Sequence, residues 1–363
     1  MPDGSVTNQR RDGKKSRIIQ LSDYVKRMDR VEPKEMQWLW WPYIVGGGVT
    51  LLAGPPGVGK GLVSSSLAAS VTRGDLWPDK KEKAPHGRVF WAETEDPHDS
   101  VLLPRLEAAG ADMSRVRSLD LVGAAVEPDL GQIAGLIKGW VKNGLKLIVL
   151  SPLKSFLPKL KNANDELQVR KELNKLLEFI TGTDCAILGL IHLNKKEDMS
   201  VLDRVGGSGA FGQVVRGCMG VGMEPGDEEA RRLMNVKYSY GVPGDQLIFR
   251  PRHVGKHEKD AYVRAEWETA TQRRDPQSLF QKQASPDGMS ANDWLIAYLM
   301  EHGPTLKATV VQAYLAEGGK VKALEMAHSR GKEKGRFFGD VRGFPGEATW
   351  SLLEHQLAMA ERV

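Results

Sequence analysis

The chain has 363 residues, 41% of them hydrophobic and 27% charged, which is the composition of an ordinary globular protein with room for two domains. Its 51 Lys and Arg against 46 Asp and Glu leave a formal charge of +5, compatible with nucleic acid without arguing for it. No apolar run reaches the roughly 18–20 residues of a membrane helix, and the polar start "MPDGSVTNQRRDGKKSR" lacks a signal peptide's apolar core, so the expectation is a cytoplasmic protein without a membrane partner.

Residues 1–22 read as a disordered basic tail, and the globular composition begins with "EMQWLWWPYIVGGG". Trp38, Trp40 and Trp41 beside a glycine turn suit either a base-stacking platform or packing that seats the first strand, and packing is the commoner use. Strand-like runs follow at 49–54, 88–93, 145–151, 185–193, 217–223, 233–241 and 246–252, with helical patterns at 60–73, 98–110, 129–143, 165–182 and 208–216. The middle strands are almost continuously apolar, as strands buried on both faces are. Alternation of this kind predicts an α/β fold with a mostly parallel sheet between helices, the last strands adding an antiparallel edge. Cys185 and Cys218 lie inside apolar runs and are expected as buried reduced thiols.

A first domain is therefore expected over 23–254, a charged linker over 255–288 and a second, small domain over 289–363. The latter has Ser290 as a helix N-cap, two further helices ending at glycine, and a hairpin in "RFFGDVRGFPGEATWSLLE". Three helices and a terminal hairpin outline a winged helix, whose third helix would carry Lys320, Lys322, His328 and Arg330 to DNA. The same helix would serve equally to meet a protein partner.

The chemistry begins at "LLAGPPGVGKG", Leu51 to Gly61. Gly54, Pro55, Pro56, Gly57, Val58, Gly59 and Lys60 stand between an apolar strand and a helix running on through Gly61 and Leu62. In that setting main-chain N–H groups curl around a phosphate, glycines permit the turn, and the helix N-terminus adds its dipole. Lys60 would neutralise the terminal phosphates. ATP is the expected ligand.

The layout "GPPGVGKG … VFWAETEDP … LIVLSPLKSF … IHLNK … GSGAFGQVVRG … VKYSYG" over about residues 36–252 resembles the RepA-type hexameric helicases, RecA-like P-loop NTPases of plasmids, phages and other mobile elements. The resemblance implies a RecA-like core with a winged-helix-like tail, a ring-shaped homo-hexamer, single-stranded DNA as partner, and ATP hydrolysis in DNA replication. It implies that Glu95 polarises the attacking water, although Glu95-Asp96-Pro97 also suits a helix cap, with Asp96 capping. It implies that His192 senses the γ-phosphate, and that Arg216 reaches a neighbouring subunit's site, with Lys237 and Arg250 next in line. Residues 193–209 resemble a pore-facing segment, so Lys195, Lys196 and Arg204 would meet DNA phosphates, as would Lys154, Lys159 and Lys161; a merely solvated loop fits as well.

Two positions depart from this pattern. The hydroxyl that follows the P-loop lysine and holds Mg²⁺ is replaced by Gly61, and the aspartate ending the third strand by Ser151. Both losses fall on one cation, so the Mg²⁺ site is expected to be weakened, with Ser151, Asp96 and Glu93 left to serve it. Hydrolysis is expected to be weak; the alternative is a catalytically silent nucleotide- or DNA-binding loader, regulator or scaffold.

Overall fold

A computed structural model describes residues 5–6, 19–20, 22, 25–158, 165–194, 200–205, 210–257, 259–276, 280, 290–317, 321–342 and 347–353. A small hairpin, β1 (Trp38–Trp40) and β2 (Ile44–Val45), leads into β3 (Val49–Gly54), all six of whose residues are buried. Trp40 packs on Tyr43 and Trp77, with ring centroids 4.0 and 5.4 Å away, so the tryptophan cluster mainly seats the first strand. Only Trp41 of the three is largely exposed.

The chain then passes through α1 (Lys60–Arg73), β4 (Arg88–Glu93), α2 (Leu103–Ala108), β5 (Val116–Asp120), α3 (Leu130–Val141), β6 (Leu145–Ser151), α4 (Glu166–Ile180), β7 (Ala186–His192), the short α5 (Val201–Arg204) and α6 (Ala210–Val214), and β8 (Gly217–Glu224). Three antiparallel strands complete the sheet: β9 (Asp227–Tyr238), β10 (Leu247–His253) and β11 (Val263–Thr269). The strand order is β11-β10-β9-β8-β3-β7-β6-β4-β5, with parallel pairing from β8 to β5. The P-loop strand β3 thus lies between β8 and β7, and each strand's period of two feeds both faces. Leu51, Phe90 and Ile148 join the core under α3 and α4, while Leu52, Trp91 and Val149 join that under α1 and α2. This is an α/β architecture, a mostly parallel sheet between helices with the P-loop at the end of a central strand.

Two strands depart from the sequence expectation. Residues 116–120 pair with β4 at the sheet margin, where Val116 and Leu119 are only partly covered, one on each face, and the apolar signal is thin. Residues 263–269, read as linker, form the other edge strand; Ala265 and Trp267 turn inward, and the intervening charges lie on the solvent side. Trp267 packs against Phe249 with ring centroids 4.8 Å apart and the planes tilted by 42°, and its indole donates to Ser66 Oγ of α1.

The C-terminal elements are α7 (Ala291–His302), β12 (Thr305–Leu306), α8 (Lys307–Ala316), α9 (Val321–Glu333), β13 (Phe337–Arg342) and β14 (Glu347–Leu352), with sheet order β12-β14-β13. This is a winged-helix order. Ser290 Oγ accepts the Asp293 N–H as the cap of α7, and Leu295, Leu299, Val310, Leu324 and Phe337 form the core. Among the described residues, no helix is long and apolar enough to cross a membrane.

Candidate nucleotide site

The site forms where β3, β4, β6 and β7 end side by side. Gly54 pairs with His192 and Glu93 with Ser151, so the register puts the strand-end residues next to the P-loop. Gly57 and Gly59 adopt left-handed φ of 72° and 101°, which a side chain at either position would resist. At Gly59 an added Cβ would also lie 3.0 Å from the Phe249 ring. Beyond this turn α1 begins at Lys60, and its first-turn N–H groups have no intrahelical acceptor. A cavity of about 400 Å³ opens above them, lined by the P-loop, Glu93, Glu95, Asp96, Arg105, Ser151 and His192, with Ala261 and Val263 as the wall at the sheet edge.

Lys60 is nearly buried. Its Nζ donates to the carbonyls of Gly54 (2.9 Å) and Pro55 (2.8 Å) and lies 3.2 Å from His192 Nδ1. Burial pulls its pKa down from 10.5 to about 8 against the opposing pull of Glu95. His192 is lowered too, by its own burial and by Lys60, which favours the neutral ring. With Nδ1 accepting from the ammonium, the ring proton sits on Nε2, 3.6 Å from Glu95 Oε2. Lys60, His192 and Glu95 therefore form one chain of contacts, and Glu95 remains 57% exposed at its open end.

The turn carrying Glu95 is built on Glu93, the buried last residue of β4. Glu93 Oε1 accepts the N–H groups of Thr94 and Glu95 at 3.0 Å and of Asp96 at 3.3 Å, while Oε2 accepts the Trp91 indole at 3.1 Å. Asp96 does not cap the following helix, contrary to expectation; its carboxylate is ion-paired with Arg105 of α2. No motif spacing singled out Arg105, because its importance arises from a contact across the fold.

These bonds decide the fit of Mg²⁺. Gly61 has no side chain, Ser151 offers a hydroxyl, Glu93 is committed to its own turn and Asp96 to Arg105. The described residues hold no cluster of three metal-ligating side chains. Of the groups expected to serve the ion, only the Ser151 hydroxyl is free of such a commitment among the described residues, so the residues present fit a divalent ion poorly, with Glu93 and Asp96 engaged by the turn and by Arg105.

The remaining expected residues are dispersed. Arg216 is exposed just before β8 and does not line its own chain's cavity. Lys237 is tied to the carbonyls of Gly212 and Gln213, and Arg250 lies between Asp227 and Glu268. Arg204 is buried, donating to the carbonyls of Phe280 (2.9 Å) and Asn194 (3.3 Å), so it is a structural tie rather than a DNA contact. Lys154 is exposed beyond β6, near enough for its charge to act on His192. On α9, Lys322 and Arg330 are exposed, but His328 turns inward and stacks on Trp350 at 4.0 Å. Lys159, Lys161, Lys195, Lys196 and Lys320 lie outside the described residues. Cys185 and Cys218 are buried free thiols, pushed up to about 12 mainly by burial.

Among solved structures, one described as an "ATPase Domain" matches with a TM-score of 0.42 and 14% identity, covering 56% of this chain and 81% of that one. Residues 15–198, more than half of the chain, match the family model described as "AAA domain", and the chain belongs to that family.

Proposed function

We propose that the chain is an ATP-binding, DNA-associated ATPase of the helicase type, with slow hydrolysis. The observation that carries this reading is the cavity into which the P-loop, Lys60, His192 and Glu95 converge at adjacent strand ends. An incoming phosphate tail meets the free amides of α1 and competes with the Gly54 and Pro55 carbonyls for the Lys60 ammonium. Glu95, open to solvent and touching a neutral His192, is the group to orient and deprotonate a water. His192 would link that water to the lysine that holds the phosphate.

The finer parts of the proposal rest on the sequence resemblance. They are a RepA-like ring, single-stranded DNA in its channel, Arg216 completing the neighbour's site, and a role in replicating a mobile element. Exposure of Arg216 outside its own cavity supports action in trans. Exposed Lys322 and Arg330 on the third helix of the winged helix support DNA contact there. Slow turnover is supported by the two missing donors, Gly61 and Ser151. The alternative, a silent binder, shares every feature of the cavity and differs only in turnover.

The decisive assay is ATP turnover with and without single-stranded DNA, together with solution mass with and without nucleotide. Slow turnover lost in Lys60→Ala supports the enzyme, and none at all supports the silent binder. Rates of an ordinary helicase would refute the weak-hydrolysis part. A mass that stays monomeric with nucleotide and DNA would refute the ring.

A further inference from the structure

Gly61 and Arg105 belong together. A Cβ built at Gly61 would lie 3.0 Å from Arg105 Nη1 and 3.8 Å from its Cζ, with no other described atom outside the adjoining chain within 4 Å. The space that a metal-holding hydroxyl would enter is the space the guanidinium approaches. We propose that the Arg105 guanidinium, anchored on Asp96, takes the place of the divalent cation beside the P-loop, so that this chain holds a polyphosphate without metal. The inference rests on the nucleotide reading of the same cavity.

The placement is braced from two sides. The anchor Asp96 is fixed by its own N–H, which donates to Glu93 Oε1 at the end of β4, where Glu93 pairs with Ser151. The carrier helix α2 is held over α1, where Leu102 and Leu106 share a core with Leu62 and Val63. Arg105 is 28% exposed and lines the cavity with Lys60, Gly61 and Ser151. A guanidinium stays charged at physiological pH and presents a planar fork that fits phosphate oxygens, so with Lys60 it sets two cations along the tail. A divalent ion brought to the same point would meet Arg105 as a like charge and find Asp96 and Glu93 already engaged. Retaining Gly at 61 and a neutral Ser at 151 is consistent with a cation that needs no ligands of its own.

The test measures Kd by calorimetry on the full chain for ATP in EDTA and in Mg²⁺, and for inorganic tripolyphosphate in EDTA. Wild type should bind ATP equally, within about threefold, in both conditions. Arg105→Gln should weaken both ATP and tripolyphosphate in EDTA by about tenfold or more, the loss of a charge-assisted phosphate contact, and Arg105→Lys should fall between. ATP binding by wild type only with Mg²⁺ would overturn the substitution while leaving the nucleotide site intact. So would an Arg105→Gln chain that weakens for ATP but not for tripolyphosphate, because the guanidinium would then meet the base rather than the phosphates. No binding of either ligand in any condition, with Lys60→Ala indistinguishable from wild type, would overturn the nucleotide reading itself.

Discussion

Lys60 makes nucleotide affinity depend on pH in a calculable way. Its pKa of about 8 in the ligand-free protein arises from burial, so the ammonium is mostly charged at pH 7 and mostly neutral at pH 9. A bound phosphate tail favours the charged form and returns the pKa upward. Binding above pH 8 must therefore take up a proton, and affinity should fall about tenfold between pH 7 and pH 9. His192, held neutral by burial and by Lys60, adds nothing in this window. Calorimetry at the two pH values, in buffers of different ionisation enthalpy, should find proton uptake near zero at pH 7 and near one at pH 9. Lys60→Arg, charged throughout, should flatten both. The same displacement acts on stability with a definite sign. Between pH 8 and 10.5 the unfolded chain holds the extra proton, so the ligand-free fold gains stability as pH rises, by at most roughly 3 kcal/mol, a slope that Lys60→Met should remove. Constant affinity from pH 7 to 9 without proton uptake would refute the buried-ammonium account.

Three further outcomes follow from the geometry. Gly59→Ala meets a φ of 101° and the Phe249 ring, and should cost about 1–3 kcal/mol in a denaturant melt and weaken ATP binding; an unchanged melt would mean the turn relaxes freely. Arg204→Ala leaves two carbonyls without their guanidinium and should destabilise by about 1–3 kcal/mol while single-stranded DNA affinity stays constant; selective loss of DNA binding would reverse its structural assignment. Arg216→Ala subunits mixed with Lys60→Ala subunits should show turnover that neither has alone, and a mixture no better than its parts would leave no role for Arg216 in trans.

What is legible in the sequence is whatever burial writes on both faces of a strand. The runs at 49–54, 88–93 and 145–151 are almost wholly apolar, and their sequence bounds coincide with the strands. Glu95 and His192 stand out because strand ends beside a P-loop place side chains at its mouth. The edge strands 116–120 and 263–269 escape notice because a margin covers its residues thinly: 116–120 has one half-covered apolar residue on each face, and in 263–269 the charges of "VRAEWET" hide its inward residues. Arg204 and His328 mislead when judged by residue type. For His328 a signal is available: Leu324, His328 and Gly331 follow one helical face, and all three are buried. Arg105 leaves no trace in spacing, because its neighbour Gly61 belongs to a different helix.

The wall formed by Ala261 and Val263, with Trp267 bonded to Ser66 and Phe280 receiving Arg204, ties the far end of the sheet to the nucleotide pocket. A shortened chain stopping near 254 would keep every motif of the loop yet lose one side of its pocket. A piece of this protein that keeps the whole pocket wall and its brace on α1 must therefore run at least through Trp267, well beyond the last residue that any phosphate-binding signature would mark.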